Sequence, residues 1–428
     1  MGCAKNLVDS EKLMAQLKLS DIELTASVED ADIAVINTCG FIEAAKRESI
    51  DMIIEGVKRK SKGKLQKVYA MGCLTERYRE ELVKEIPEVD GFFGSNELGN
   101  VLRELGADLR QELLGERMLT TPAHFAYLKI SEGCDNPCSF CAIPLMRGKH
   151  VSRPETEIVE EARLLAGRGV KELVIIAQDT TYYGLDTAGT RRLPALMEQL
   201  AGVQGVEWIR LMYAYPAKFP KDLLAVMKNN RRICRYLDMP VQHCSDDVLR
   251  SMRRGISRRA LYDLIHEIRD SVPGIALRTT LIVGYPGETP AAFEELMKFV
   301  ADVRFSRLGV FTYSQEDGTT AFPLGDPVSA EEKERRKALV MELQMGISLE
   351  HNRKLVGSRA RVLIDRIEDG QAVGRTEHDA PEIDNEIWVR GGHLPSVGSF
   401  AEVDIVEASE YDAYAVLAQP GEDSRVAP

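Results

Sequence analysis

The chain has 428 residues, 44% hydrophobic and 29% charged, with a net charge of −12, an ordinary globular composition long enough for two or three domains. No low-complexity tract, membrane-length apolar run or signal-peptide pattern occurs, so no membrane partner and a cytoplasmic location are expected. The eight cysteines then read as metal or redox ligands rather than a disulfide framework, and the acidic balance argues against nucleic acid as the main substrate.

In chain order, residues 6–18 place Leu7, Met14 and Leu17 at helical spacing. A strand over 31–36 runs into Asn37-Thr38-Cys39-Gly40, and a helix follows whose basic end, Lys58-Arg59-Lys60, suits its negative C-terminus. The pattern repeats: a strand over 67–71, Gly72-Cys73, then a helix from about Thr75. Such alternation implies an open parallel α/β sheet. Cys39 and Cys73 each fall just past the carboxyl end of a strand, where open α/β sheets bind ligands. Cys3 stands before a helix with almost no chain ahead of it, which reads as a sheet whose first strand is missing from this sequence. Isolated buried cysteines are usually packing thiols, but repetition at one sheet edge makes Cys3, Cys39 and Cys73 candidate ligands of a cluster with an open iron. This unit is expected over residues 1–105, with a linker at 106–122.

After an apolar strand at 125–130 comes a loop, Glu132 to Pro144, holding Cys134, Cys138 and Cys141 at C-x3-C-x2-C spacing. Structural zinc usually takes four ligands, and here only His150 stands nearby as a fourth. Three thiolates on a four-iron cube leave one iron open. Six strand–helix units are expected over 123–354, with strands at 125–130, 172–177, 208–213, 236–241, 276–283 and 307–313. They would form a partial (βα)6 TIM-like barrel with its chemistry at the carboxyl ends. Those ends carry the three cysteines, then Gln178-Asp179-Thr180, Tyr213 and Tyr215, Gln242-His243, and Gly284 to Glu288. Ser329 with Glu332 forms a capping box opening a long helix to about Lys354. Residues 355–420 alternate in strand fashion at 360–364, 386–390 and 401–406, as in a small OB-like β-barrel, and 420–428 read as a frayed tail. The charge balance is −5 over 1–121, +2 over 122–354 and −9 over 355–428.

Together these parts resemble the methylthiotransferases of the radical S-adenosylmethionine (SAM) superfamily. Those proteins join a three-cysteine N-terminal domain, a radical SAM barrel and a C-terminal TRAM barrel. Four stretches, Gly2–Glu11, Ala177–Thr181, Pro240–His243 and Gly374–Asp384, are similar to the branch that modifies an aspartate of small-subunit ribosomal protein uS12. Ala4 stands where that branch usually has proline, and the tRNA-modifying relatives lack its Lys-Asn-Leu-Val run. The resemblance implies two [4Fe-4S] clusters and SAM as cofactors, with a reductant such as flavodoxin or ferredoxin. It assigns Cys134, Cys138 and Cys141 to the SAM-cleaving cluster and Cys3, Cys39 and Cys73 to an auxiliary cluster that presents sulfur. The implied target is the unactivated β-carbon of aspartate, which no side-chain base can ionise, so radical chemistry is required.

Phe140, Gln178, Gln242, Arg278, Gly284 and Glu288 are the candidate SAM contacts at the rim. Asn37, Thr38 and Asn136 are expected to tune the clusters, Tyr213 and Tyr215 to form walls, and Cys234 and Cys244 to pack. Two rivals remain: a tRNA adenosine methylthiotransferase, and a zinc-binding RNA adaptor, which would need a basic barrel face with exposed aromatics. The carboxylates from Asp365 to Glu386 are instead expected to face a basic ribosomal protein.

Overall fold

Three sheets of three or more strands follow one another along the chain in a computed structural model that describes residues 2–110 and 115–419. The expected tail at 420–428 and part of the 106–122 linker lie outside the described residues. The first sheet holds parallel strands β1 (Ile33–Thr38), β2 (Lys67–Gly72) and β3 (Gly91–Phe93) in the order β1-β2-β3. Successive side chains of β2 point to opposite faces. Val68 and Ala70 pack with Ile53 of helix α2 (Glu43–Ser61), and Met71 packs with Leu13 and Leu17 of α1 (Ala4–Leu19). Helix α3 (Cys73–Glu85) starts where β2 ends.

The second sheet holds six parallel strands in sequence order: β4 (Phe125–Lys129), β5 (Glu172–Ile176), β6 (Trp208–Leu211), β7 (Ile233–Asp238), β8 (Ala276–Val283) and β9 (Arg307–Thr312). Strand β7 begins three residues before the expected start at 236. Pro240 has no N–H to give a ladder, and pairing of Ile209 with Ile233 and Leu211 with Leu237 draws in the earlier residues instead. One face of the sheet packs on the connecting helices through Leu173, Ile175, Leu277 and Leu281. The other face, with Phe125, Tyr127, Val174, Trp208 and Tyr236, packs on Val8 of α1 and on Leu363 and Ala380 of the C-terminal barrel. Two further helices matter below: the short α4 (Ile143–Arg147) and the long α5 (Ala330–Arg353), whose Ser329 cap accepts from Glu332 N at 3.3 Å.

The third sheet is a closed barrel of β10 (Arg359–Glu368), β11 (Gln371–Arg375), β12 (Ile387–Arg390), β13 (Phe400–Ala408) and β14 (Ala413–Leu417), in the order β10-β11-β12-β14-β13. Strands β11 and β14 escaped the alternation pattern, being short and rich in Ala and Gly, which have weak strand preference.

The expectation of an acidic docking face on this barrel fails for most of the carboxylates named. Asp379 pairs with Arg307 (2.9 Å), Asp384 with Arg278 (3.3 Å) and the Tyr236 hydroxyl (2.7 Å), and Asp365 with Arg375 (2.7 Å) and His124 (2.8 Å). Glu382 accepts from Tyr127 OH at 2.8 Å, and Glu386 pairs with Arg366. Arg278 and Arg307 on the six-stranded sheet and Arg375 on β11 are largely buried guanidiniums that must be matched by carboxylates, whereas Glu386 answers Arg366 within the barrel. The Asp379, Asp384 and Glu382 contacts seat the barrel on the sheet.

Candidate functional site: two thiol triplets joined by a guanidinium

Parallel pairing of Thr38 with Gly72 sets Cys39 and Cys73 side by side at one sheet edge. The strand end at Gly72 has φ +114°, and a Cβ there would lie 2.6 Å from the Thr38 oxygen, so only glycine permits the two loops to close up. Cys3 caps α1, and Gly2 lies against the Cys39 side chain. Asn6 Nδ2 donates to the Thr38 oxygen (3.0 Å), and Asn37 Nδ2 donates to the Asn6 oxygen (2.8 Å) and Ser10 Oγ (2.8 Å). These bonds lash the start of α1, and with it Cys3, to β1. Burial pushes the Cys39 thiol up and the Cys73 thiol up to about 11, and the Cys3 thiol adds to both.

The second triplet sits on a loop clamped at both ends. Gly133 has φ +75°, with a hypothetical Cβ only 2.0 Å from the Lys149 oxygen, while Cys134 N donates to the Gly148 oxygen (3.1 Å). Cys141 N donates to the Cys138 oxygen (3.2 Å), and Ser139 Oγ donates to the Ser251 oxygen (2.8 Å). Burial pushes Cys134 up to about 11 and Cys141 up to about 12, with neighbouring Cys138 adding to each.

One guanidinium touches sulfur in each triplet. Arg147 Nε, at the end of α4, donates to Cys73 Sγ at 3.2 Å, and Arg254 Nη1 donates to Cys138 Sγ at 3.2 Å. Arg254 also lies 4.3 Å from the Tyr215 ring centroid, and the Tyr215 hydroxyl is 3.7 Å from the same Cys138 sulfur. Three sulfur donors with a cation on one of them suit an anionic iron–sulfur cluster, whose potential responds to such hydrogen bonds. Among the described residues, no three Cys, His, Asp or Glu side chains converge as they would on a single ion.

Arg147 does more than touch Cys73. Its Nη1 contacts Asp9 (2.7 Å) and Glu132 (3.0 Å), and its Nη2 bonds Asn6. Lys129 completes the square on Asp9 and Glu132. Burial acts to raise both carboxyls, but Lys129 and Arg147 hold them below the usual carboxylate range. Glu132 lies two residues before Cys134, so a single side chain spans from one triplet to the loop bearing the other.

The rim residues divide. Gln178 Nε2 bonds Glu132, whereas among the described residues its Oε1 is buried without a partner, as are Gln242 Oε1 and Arg254 Nε. Buried polar atoms are normally satisfied, so these three fit a polar ligand at the rim. Gln242 is held at φ +73° by backbone bonds to Thr280 (2.9 Å) and Ile282 (2.8 Å). Phe140 packs beside Tyr285 and Tyr313. Asn136 donates to Asp179 at 2.7 Å, and Thr38 Oγ1 donates to the Met71 oxygen at 2.8 Å. Gly284 is left-handed and lies against Lys333. Glu288 is committed to His243 (3.2 Å), Arg336 (2.8 Å) and Gly284 N, so it ties the loop to α5. Arg278 is not at the rim: it lies five residues before the end of β8, held by Asp238 (2.9 Å) and Asp384. Cys234 and Cys244 are fully buried among apolar side chains. Sequence reasoning missed Arg147, Arg254, Asp9 and Lys129. Asp9 does sit inside the Gly2–Glu11 stretch, and Arg147 lies six residues past the last cysteine of the loop.

Three family models match in succession: the uncharacterized protein family UPF0004 over residues 1–94, the radical SAM superfamily over 128–300 and the TRAM domain over 356–417. Curated relatives called ribosomal protein uS12 methylthiotransferase RimO match nearly end to end. The one from Cytophaga hutchinsonii is 52% identical over 97% of this chain and 95% of its own length. That from Chloroherpeton thalassium is 52% identical over 97% of both chains, and that from Bacteroides fragilis is 50% identical with the same coverage. Among solved structures, the radical SAM methyltransferase TsrM from Kitasatospora setae, with cobalamin and a [4Fe-4S] cluster bound, superposes with a TM-score of 0.52. It has 14% identity, covering 68% of this chain and 66% of that one. The cobalamin-dependent radical SAM enzyme OxsB, bound to aqua-cobalamin and SAM, gives 0.51 at 13% identity, covering 78% and 53%. At that identity the likeness is one of fold.

Proposed function

The chain belongs to the family of uS12 methylthiotransferases called RimO, a radical SAM enzyme family, and from that premise we propose how its own residues divide the work. Cys134, Cys138 and Cys141 hold the cluster that binds SAM, and Cys3, Cys39 and Cys73 hold an auxiliary one. When bound, these groups supply one-electron cleavage of SAM and the sulfur to be transferred. The substrate is the β-carbon of an aspartate of uS12, and the reductant is a small cytoplasmic carrier such as flavodoxin or ferredoxin.

The observation that carries this reading is the Arg147 bridge, which fixes two three-thiol sites against each other. Transfer of a methylthio group to an unactivated carbon needs the group that removes hydrogen and the sulfur that replaces it on either side of one substrate atom. Holding both at set separation is the protein's task. Arg147 does so with directional bonds to Cys73, Asp9 and Glu132. Gln178, Gln242 and the Phe140 backbone orient SAM at the rim. Glu288 anchors the Gly284 loop there, and Tyr215 with Arg254 closes the side near Cys138.

Mass spectrometry of uS12 after incubation with the anaerobically reconstituted protein, SAM and a reductant tests this. A methylthio group on one aspartate is expected. Modification of adenosine in tRNA with uS12 untouched would transfer the chain to the runner-up reading, and a colourless zinc protein without activity would transfer it to the adaptor.

A further inference from the structure

The first turn of α1 buries a lysine where helix electrostatics argue against one. Lys5 is only 7% exposed and lies at the positive end of the helix, with no acidic residue in that turn. Its Nζ rests 3.0 Å from the centroid of the Tyr213 ring. Among the described residues no oxygen accepts a hydrogen bond from it and no carboxylate pairs with it. A buried ammonium with only an aromatic face beneath it lacks the partners such a charge needs.

Four other cations of this region already have acceptors. Lys129 and Arg147 share Asp9 and Glu132, and Arg254 bonds Cys138 and the Pro240 oxygen. Arg191 donates to the Thr181 oxygen. Tyr213 is held in place although its φ is +58°, through its N–H to Asp238 (3.2 Å) and its oxygen to Thr180 N (3.1 Å). Its ring is therefore a fixed platform for the ammonium.

Position gives the vacancy a meaning. Lys5 is two residues past Cys3, and its neighbour Asn6 reaches Cys73 Sγ at 3.7 Å. Tyr213 is two residues before Tyr215, which touches Cys138. Lys5 and the Tyr213 ring beneath it thus join the two chain segments that carry Asn6 against Cys73 and Tyr215 against Cys138, and a substrate carbon that meets both triplets must pass between those segments. On the reading given above, that carbon bears a carboxylate. We infer that Lys5, braced on Tyr213, is the carboxylate-binding subsite that captures the target aspartate side chain and aims its β-carbon between the two triplets.

A charge-assisted hydrogen bond of this kind distinguishes a carboxylate from an isosteric amide by about ten- to a hundredfold in affinity. The experiment measures fluorescence anisotropy of a labelled uS12 loop peptide bound to the reconstituted holoenzyme, with aspartate, asparagine or glutamate at the target position. The unsubstituted enzyme should prefer aspartate over asparagine by that factor. Lys5→Met and Lys5→Gln should bring the ratio to within about twofold, and Lys5→Arg should restore part of it. No preference in the unsubstituted enzyme, or a full preference in Lys5→Met or Lys5→Gln, overturns the subsite. Failure of the unsubstituted enzyme to modify uS12 at all overturns the parent reading instead, so the two failures are told apart.

Discussion

Glu172, the first residue of β5, is fully buried between two guanidiniums, Arg210 Nε at 2.7 Å and Arg375 Nη1 at 2.8 Å. Glu172→Gln keeps the shape and removes the charge. Arg375 retains Asp365 at 2.7 Å, so it stays paired. Arg210 loses its one carboxylate and keeps the Glu377 and Thr376 carbonyls at 2.6 and 3.3 Å and the Tyr236 ring face at 4.8 Å. Breaking a buried pair costs about 3–5 kcal/mol, and with one of the two cations still matched the lower end applies, about 3 kcal/mol. For a unit of this size that lowers Tm by roughly 6–10 °C. Trp208 stacks edge-on against Phe400 across the same interface (4.8 Å), so tryptophan emission reports the loss of the C-terminal barrel from the sheet. Burial opposes ionisation of Glu172, but Arg375 and Arg210 prevail and hold its carboxyl below 4.5. Its contribution is therefore complete above about pH 4.5 and fades as the pH falls through the lower folded value, where Glu172→Gln and the parent should converge. Replacing Glu172 and Arg210 together by methionine should cost less than Glu172→Gln alone. A Tm within about 2 °C of the parent at neutral pH would refute this account of the interface.

The reconstituted protein should carry about eight irons per chain and Cys134→Ala about four, by iron analysis; stoichiometric zinc with background iron counts against both sites. Arg147→Met removes a charged donor from Cys73 Sγ. A bond of about 1.5–3 kcal/mol corresponds to about 65–130 mV in a one-electron couple, so the auxiliary cluster should become harder to reduce by that amount in an EPR-monitored titration. Arg147→Lys should recover part of the shift, and an unchanged potential would show that the guanidinium does not act on the cluster. Gly284→Ala puts a Cβ 2.3 Å from Lys333 Cγ at a φ of +75°, so it should lose about 1–3 kcal/mol and weaken SAM binding, measured by calorimetric titration.

The elements legible in the sequence were those whose determinants lie close together along the chain. The C-x3-C-x2-C loop shows its thiol triplet within eight residues, and the strand–Cys–helix repeat places Cys39 and Cys73 at one sheet edge because each strand end is set by local hydrophobic pattern. What escaped depends on residues meeting from afar. Arg147 reaches Cys73 across 74 positions and Arg254 reaches Cys138 across 116, distances over which no local pattern carries information. Charge counting failed for a related reason. A balance of −9 over 355–428 does not tell a solvated carboxylate from one answering a buried arginine, and Asp365, Asp379 and Asp384 are of the second kind. Arg278, read from the sequence as a SAM contact, is instead held by Asp238 of the sheet and Asp384 of the C-terminal barrel.

The N-terminal unit is seated on the six-stranded-sheet domain largely through ion pairs. Besides the Asp9–Lys129–Arg147–Glu132 square, Glu11 and Glu161 enclose Arg117 with no side chain of the three exposed, and Glu316 takes both Lys46 (2.6 Å) and Arg77 (2.6 Å). Apolar contact near the thiols comes from Ala4, Leu7 and Val8 against the six-stranded sheet and from a small group, Cys73, Ala142, Met146 and Ile143. An interface of that composition gains little net stability from its buried pairs, because desolvation offsets much of the attraction. Its ion pairs do have strict geometry, and a slipped docking would strand several charges at once. An apolar interface of equal area could slide by a fraction of a side chain at small cost. For chemistry that requires two thiol-bound groups to face one carbon, tolerance to sliding is the property to avoid. On the proposed function, polar seating is what the reaction demands, and the residues that set it, Arg147 above all, then serve it as much as the cysteines do.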